Sequence, residues 1–277
     1  MPELPEVETI ARDIRPDLEG RTITAARVFK PDILKNSTRP RFERGVTGRR
    51  IAAVSRRAKN IVLELDDDRR IVIQPGMTGA MLVERPRTTH DVRRTTYEVI
   101  RLSLSSGKVA VYQDVRRLGR VYLFTPAQWA KHDAAIGPEP LDPAFTADAF
   151  HAILKTSRLA IKKAIMDQRK LAGVGNIYAN EALWVAGIDP SREARRIRPA
   201  ESALLHGAIV RILADSIEGR GTTVRDYRTG TGEPGNFQGR LVVYERAGEP
   251  CLRCGRRIAQ THAIDARSSY FCPGCQH

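Results

Sequence analysis

The sequence predicts an α+β chain built from several modules, and three observations carry that prediction. Strand-like runs crowd residues 21–125, helical periodicity takes over from 149 to about 220, and all four cysteines lie between Cys251 and Cys275. A short helix precedes the strands.

That helix is written in MPELPEVETI. Pro5 suits a first helical position, where its missing N–H costs nothing. Glu6 and Glu8 then fall in the first turn, at the positive end of the helix dipole. Val7, Ile10, Ala11 and Ile14 follow at i, i+3, i+4 and i+7, an apolar stripe for a core, with Pro16 and Gly20 bounding the segment. Pro2 and Glu3 stand in front of the helix with no structural duty.

Next come RRIVIQ, MLVE, YEVIRLSLSSGKVAVYQD and RVYLF, short runs rich in Val, Ile, Leu and Tyr. Ser105-Ser106-Gly107 marks a hairpin between two of them. PEPLDP, within 136–148, reads as a linker. The segments AFHAILKTS, LAIKKAIMDQ, NIYANEALWVAG and ESALLHGAIVRILADSI read as helices. GRGTTVRDYRTGTGEPGNFQG, with six glycines, reads as a flexible loop.

At 277 residues the chain holds two or three domains. No run of about 18 apolar residues appears, so the reading is of a soluble, cytoplasmic protein with no membrane partner. Net charge is +14 on 46 Lys+Arg, which points to a polyanion, nucleic acid ahead of acidic lipid because no basic amphipathic helix stands out. Only 9 of the 46 are lysines, so a lysine among alternating apolar residues draws notice.

Three local signals carry chemistry. Cys251, Cys254, Cys272 and Cys275 form C-x2-C-x17-C-x2-C, a spacing suited to one tetrahedral zinc on two knuckles. With no ligand position left open, such a zinc is structural. In KLAGVGNIYANEALW, Gly173 and Gly175 allow close backbone approach, and Asn176 reads as the N-cap of a helix starting at Ile177. That is either a phosphate site or an ordinary capped turn, and Lys162 one helix earlier could add a cation. Lys59, in RRAKNIVLEL, opens a strand bearing Ile61, Leu63 and Leu65, and reads either as a solvated strand end or as a residue directed to that face.

Together, MPELPEVE, Lys59, GVGNIYANEAL and the four-cysteine finger resemble the bacterial formamidopyrimidine-DNA glycosylases. PGMTG, DVRRLG, GPEPL, GTTVRDY, VYERAGEPC and RSSYFCPGCQ follow in the family's order, nearly end to end. The resemblance implies an N-terminal catalytic two-sheet β-sandwich (1–135), a linker (136–148), a helix-two-turn-helix DNA-binding domain with a lesion-capping loop (149–238) and a zinc-finger domain (239–277). It implies a monomer acting on double-stranded DNA that contains oxidised bases, with one structural Zn2+ and no organic cofactor. It further implies excision of oxidised purines and strand cleavage at the abasic site. Pro2 would be the nucleophile once Met1 is removed, and Glu3 would handle protons at the sugar. Lys59, Asn176 and Arg267 would clamp flanking phosphates, Met77 and Arg116 would fill the space of the flipped nucleotide, and Lys162 would lie near the damaged base.

The chain departs from the family pattern at several points. DVRRLG puts Leu118 where the family has a phenylalanine, QPGMTG puts Gln74 in place of a histidine, an HDH run before the hairpin is missing, and the zinc loop is one residue longer. Two alternatives stay open. One is an endonuclease VIII-like enzyme for oxidised pyrimidines, although that branch begins PEGPE. The other is a catalytically silent protein that binds damaged DNA.

Overall fold

The computed structural model describes residues 1–84, 97–224 and 226–277. The stretch before the Ser105 hairpin, where the HDH run is missing, and Arg225 of GTTVRDY lie outside the described residues. The chain folds as two units, Met1–Ala134 with Gly219–Asn236, and Ala135–Glu218 with Phe237–His277. Among the described residues no helix is long and apolar enough to cross a membrane.

The first unit opens with α1 (Leu4–Leu18), whose Val7, Ile10, Ala11, Ile14 and Leu18 are buried. Pro16 lies inside the last turn of this helix and does not bound it. Its ring removes the N–H that would meet the Arg12 carbonyl, and the helix runs only as far as Leu18 beyond it. Two antiparallel four-stranded sheets follow. One has the order β1 (Ile23–Val28), β6 (Glu98–Leu104), β7 (Val109–Asp114), β5 (Gly79–Glu84). The other has β2 (Ile51–Arg57), β3 (Asn60–Leu65), β4 (Arg70–Gln74), β8 (Arg120–Phe124). Ile23, Val28, Met81, Leu102 and Tyr112 from the first sheet share one core with Val54, Ile61, Leu63, Ile71, Ile73 and Val121 from the second. The result is a β-sandwich with α1 packed against β2, β3 and β5. The β6–β7 hairpin turns at Gly107, with φ +79.

Two helices escaped the sequence reading. In α2 (Arg39–Val46) only Phe42 and Val46 are buried, too sparse a stripe to show periodicity. In α3 (Pro126–Ala134) nothing is fully buried, but Trp129 and His132 lie over Tyr122 and Phe124 of β8 on the outer face of the second sheet.

Residues 219–236 also depart from expectation. The sequence reading grouped them with the helices, but in the structure they belong to the first unit. Thr222 N–H donates to Glu6 (2.8 Å), Gly230 N–H to Asp13 (2.9 Å), and Tyr227 reaches the sandwich core. The segment is hydrogen-bonded along its length, and its glycines serve close packing. A Cβ at Gly235 would sit 2.2 Å from the Gly221 carbonyl oxygen.

In the second unit α4 (Ala147–Lys155), α5 (Ile161–Met166), α6 (Asn176–Ala186) and α7 (Pro199–Glu218) form the helical part. α6 packs on α7, and α4 also packs on α7. A small hairpin, β9 (Ala259–Thr261) with β10 (Ser269–Phe271), completes the cysteine module. It shares an apolar cluster of Val243, Ile258, Tyr270 and Trp184.

The loop between β7 and β8 is the tightest point of the first unit. A Cβ at Gly119 would lie 2.1 Å from the Tyr112 hydroxyl and 2.9 Å from Asp114 Oδ2. Gly119→Ala is therefore expected to destabilise the protein by about 1–3 kcal/mol. Tyr112→Phe, which removes the clashing oxygen, should restore part of that loss in the same background. Urea denaturation of the single and double variants checks this.

Candidate active site and DNA-binding residues

Pro2 and Glu3 are both buried, at the head of α1. Glu3 is the N-cap, which places Pro5 one position further into the helix than the sequence suggested. A capping box closes the end. The Glu3 side chain accepts from the backbone of Glu6, and Glu3 N–H donates to Glu6 Oε2 at 2.8 Å. The other Glu6 oxygen takes Thr222 N–H, and Tyr227 Oη donates to the Glu6 carbonyl. Glu3 is thus tied to Glu6, which is itself tied to Thr222 and Tyr227.

Lys59 sits outside the strand it was expected to open. Arg57 pairs with Asn60, so Ala58 and Lys59 form a two-residue turn between β2 and β3, with Ala58 at φ +52. Lys59 is 5% exposed, which rules out a solvated strand end. Arg56 fixes the turn, donating to the Ala58 carbonyl (3.0 Å) and to Glu8 Oε2 (3.1 Å). Because Glu8 lies in the second turn of α1, this bridge holds the Lys59 turn beside the N-terminal part of that helix. Burial raises the Glu8 carboxyl, but Arg12 and Arg56 outweigh it and keep Glu8 ionised below the usual range.

Met77, Arg116 and Leu118 are brought together by Asp114, which is 1% exposed. Asp114 accepts from the Thr78 hydroxyl (2.6 Å), Arg117 N–H (3.1 Å) and Gly119 N–H (2.8 Å). Thr78 in turn accepts Arg116 N–H at 3.0 Å, and the Arg116 guanidinium lies 3.5 Å from Met77 Sδ. Met77, Val115 and Leu118 are exposed at 37%, 52% and 54%. Gln74, the last residue of β4, pairs with Arg120 at the base of the loop.

In the second unit, Asn176 is the first residue of α6 and Gly175 is the N-cap. The correction follows from backbone shape. Gly175 is extended (φ −129, ψ −156), and no side chain caps the helix. Asn176 Nδ2 instead donates to the Ser268 carbonyl at 3.2 Å, and its Oδ1 is buried without a partner. Lys162 is wholly buried, with Nζ donating to the Ser268 carbonyl (2.9 Å) and Ser269 Oγ (2.7 Å). Arg267, the next residue before Ser268, is exposed.

The four cysteine sulfurs lie within 4.8 Å of one another. Cys254 and Cys272 are 3.4 Å apart and Cys251 and Cys275 3.9 Å. Thiolates on a tetrahedral zinc at about 2.3 Å are separated by about 3.8 Å, so this donor set fits one such ion. Burial pushes the Cys251 thiol up, but N–H donors from Arg253 and Trp184 outweigh it and bring it down to about 6. Arg253 also lies 4.3 Å over the Trp184 ring, tying the first knuckle to α6.

Sequence reading missed three residues that organise these sites: Glu6, Asp114 and Glu181. Glu181, on α6, is 3% exposed and accepts the N–H groups of Val242, Val243 and Tyr244 at 2.8–2.9 Å. Burial raises its carboxyl, against the pull of those donors. Each stands within a motif that carries the family resemblance, MPELPEVE, DVRRLG and GVGNIYANEAL.

Comparison with known proteins agrees with this architecture. Residues 1–121 match the formamidopyrimidine-DNA glycosylase N-terminal domain, 136–228 its H2TH domain, and 248–277 the zinc finger found in FPG and IleRS. A formamidopyrimidine-DNA glycosylase of Chloroflexus aurantiacus is 43% identical over 277 residues, covering 100% of this chain and 98% of the relative. The wild-type Lactococcus lactis Fpg (MutM), solved with DNA containing N7-benzyl-Fapy-dG, superposes with a TM-score of 0.90 at 31% identity, covering 100% of both chains. A MutM structure with DNA containing carbocyclic 8-oxo-G gives 0.90 at 32%, again over 100% of both chains. With its sandwich, its helical unit and its four-cysteine finger all matched in order, the chain belongs to the formamidopyrimidine-DNA glycosylase family.

Proposed function

We infer that this protein is a base-excision repair enzyme, a bifunctional DNA glycosylase and abasic-site lyase for oxidised purines in duplex DNA, with Pro2 as its nucleophile. The observation that carries the catalytic assignment is the buried Pro2-Glu3 pair, fixed at the head of α1 by Glu6. The substrate class rests on the family and on solved relatives holding Fapy-dG and 8-oxo-G lesions. A net charge of +14 suits a DNA partner, and the enzyme would act in the cytoplasm, at the nucleoid.

The chemistry requires removal of Met1, which otherwise makes the Pro2 nitrogen an amide. A free α-amino group titrates at about 7.7–8.0, so part of it is neutral at pH 7. The lone pair of that secondary amine attacks C1′, the N-glycosidic bond breaks, and the base departs with the bonding electrons, taking up the proton that the nitrogen sheds. Glu3 protonates O4′ as the sugar ring opens, leaving an iminium on Pro2. A secondary amine gives an iminium with no N–H proton to lose, so the cation persists and acidifies C2′. Loss of the C2′ proton expels the 3′ phosphate, and a second elimination expels the 5′ phosphate. Hydrolysis of the remaining iminium returns the amine.

Lys59, Asn176 and Arg267 are assigned to phosphates flanking the lesion. Met77, Arg116 and Leu118 are assigned to the void left by the extruded nucleotide. Cys251, Cys254, Cys272 and Cys275 hold the one structural zinc, which supplies folding energy to the finger and takes no part in bond making.

Borohydride should trap a covalent protein–DNA adduct that maps by peptide mass analysis to Pro2. An added residue ahead of Pro2 should abolish trapping and base release while DNA binding persists. An adduct on Lys59 would show that a lysine is the nucleophile. Elemental analysis should find one zinc per chain. Stripping the metal should abolish DNA binding while the circular dichroism of the sandwich survives, because the finger is a small module that needs its ion. Leucine fills space but cannot stack as an aromatic ring does, so Leu118→Phe should sharpen the preference for cytosine opposite the lesion. Excision rates on duplexes with each opposite base measure this, and unchanged ratios would remove Leu118 from base reading.

A further inference from the structure

We propose that Lys162 is a positioning residue that fixes Arg267 for its phosphate without touching DNA itself. The inference rests on the reading of Arg267 as a phosphate contact. Burying an ammonium is costly, and such a group is retained where it satisfies specific acceptors. Lys162 is 0% exposed, and the acceptors in question belong to the finger hairpin, more than a hundred residues on in sequence. Its Nζ takes the Ser268 carbonyl (2.9 Å) and the Ser269 hydroxyl (2.7 Å).

The Ser268 carbonyl is shared. Asn176 Nδ2 donates to it from the start of α6 at 3.2 Å, while Gln260 of β9 donates to Ser268 Oγ at 3.0 Å. One peptide, Arg267–Ser268–Ser269, is thus pinned from α5, from α6 and from its own hairpin. Just beyond, Asn180 Oδ1 accepts Tyr270 N–H at 3.0 Å, and Asn180 Nδ2 donates to the Asn176 carbonyl at 2.6 Å. Arg267 emerges to solvent directly from the pinned peptide. A guanidinium must meet a phosphate oxygen within hydrogen-bond distance to count, so the register of this peptide against α6 fixes whether Arg267 and the helix start can engage the same stretch of backbone.

A double-mutant cycle tests this. DNA affinity is measured across a salt series for wild type, Lys162→Met, Arg267→Ala and the double variant, with zinc content and melting temperature recorded for each. Methionine keeps the length and removes the donors. Each single variant should weaken binding roughly tenfold and lower the log–log salt slope by about 0.9, the value for one phosphate. The double variant should match Arg267→Ala alone. Additive losses, with the slope lowered by about 1.8, would mean that Lys162 meets a phosphate itself, and would overturn the proposal. An Arg267→Ala variant that binds like wild type would instead refute the phosphate reading of Arg267 and bring this inference down with it. Should Lys162→Met lose its zinc, Ser269→Ala replaces it in the cycle, removing one acceptor while leaving the lysine. Zinc-loaded Ser269→Ala that binds with wild-type affinity and slope would then refute the proposal. General loosening of the finger would lower the melting temperature of Lys162→Met but would still weaken binding in the Arg267→Ala background.

Discussion

Glu6 is 2% exposed, and both of its carboxylate oxygens are occupied by backbone N–H groups, one from Glu3 and one from Thr222. A carboxylate taken out of water is tolerable only when such donors replace its hydration. The exchange binds three things into one arrangement: the helix start, the dipeptide ahead of it and the segment from 219 to 236. None of the three has much holding power alone. A terminus frays, a glycine-rich segment carries high conformational entropy, and the first N–H groups of a helix have no partners within it. Removing the acid would leave the N-terminus of α1 without its second capping partner and Thr222 without an acceptor.

The same device recurs at two other places in this strongly basic chain. Asp114 gathers Arg117 N–H, Gly119 N–H and the Thr78 hydroxyl, and so shapes the loop that carries Arg116 and Leu118. Glu181 gathers three consecutive N–H groups, from Val242 to Tyr244, and so fixes the strap leading into the finger. In each case a buried acid sets the path of an irregular segment that bears, or leads to, exposed groups assigned to DNA. At these three acids the charge is held inside, where backbone donors offset it, and beside Asp114 the side chains of Arg116 and Leu118 are left exposed.

Much of this was legible beforehand, for reasons specific to each element. The α1 stripe shows at 3.6-residue spacing, the hairpin at Ser105–Gly107 has its turn residues, and cysteines at knuckle spacing have few alternative readings. The misreadings share a cause. α2 has two buried side chains and six polar or turn-forming neighbours, so its periodicity is drowned. Lys162 stands in AIKKAIM beside a second lysine, Lys163, which is exposed, and nothing local distinguishes the buried member of the pair. Six glycines between 219 and 239 read as looseness, whereas the structure uses Gly230 and Gly235 to let backbones meet. Long-range hydrogen bonds decide all of these but α2, and no window of sequence contains both partners.

The loop bearing Arg116 is held by contacts from Arg116 to Met77 and from Asp114 to the Arg117 and Gly119 N–H groups. On the reading proposed above, a wedge built on such contacts would lose little ordering entropy on entering the stack. A wedge of fixed shape would meet every base pair alike, damaged or intact. Selectivity would then lie on the DNA side of the exchange, in how readily a given pair unstacks, and in what the extruded base meets afterwards.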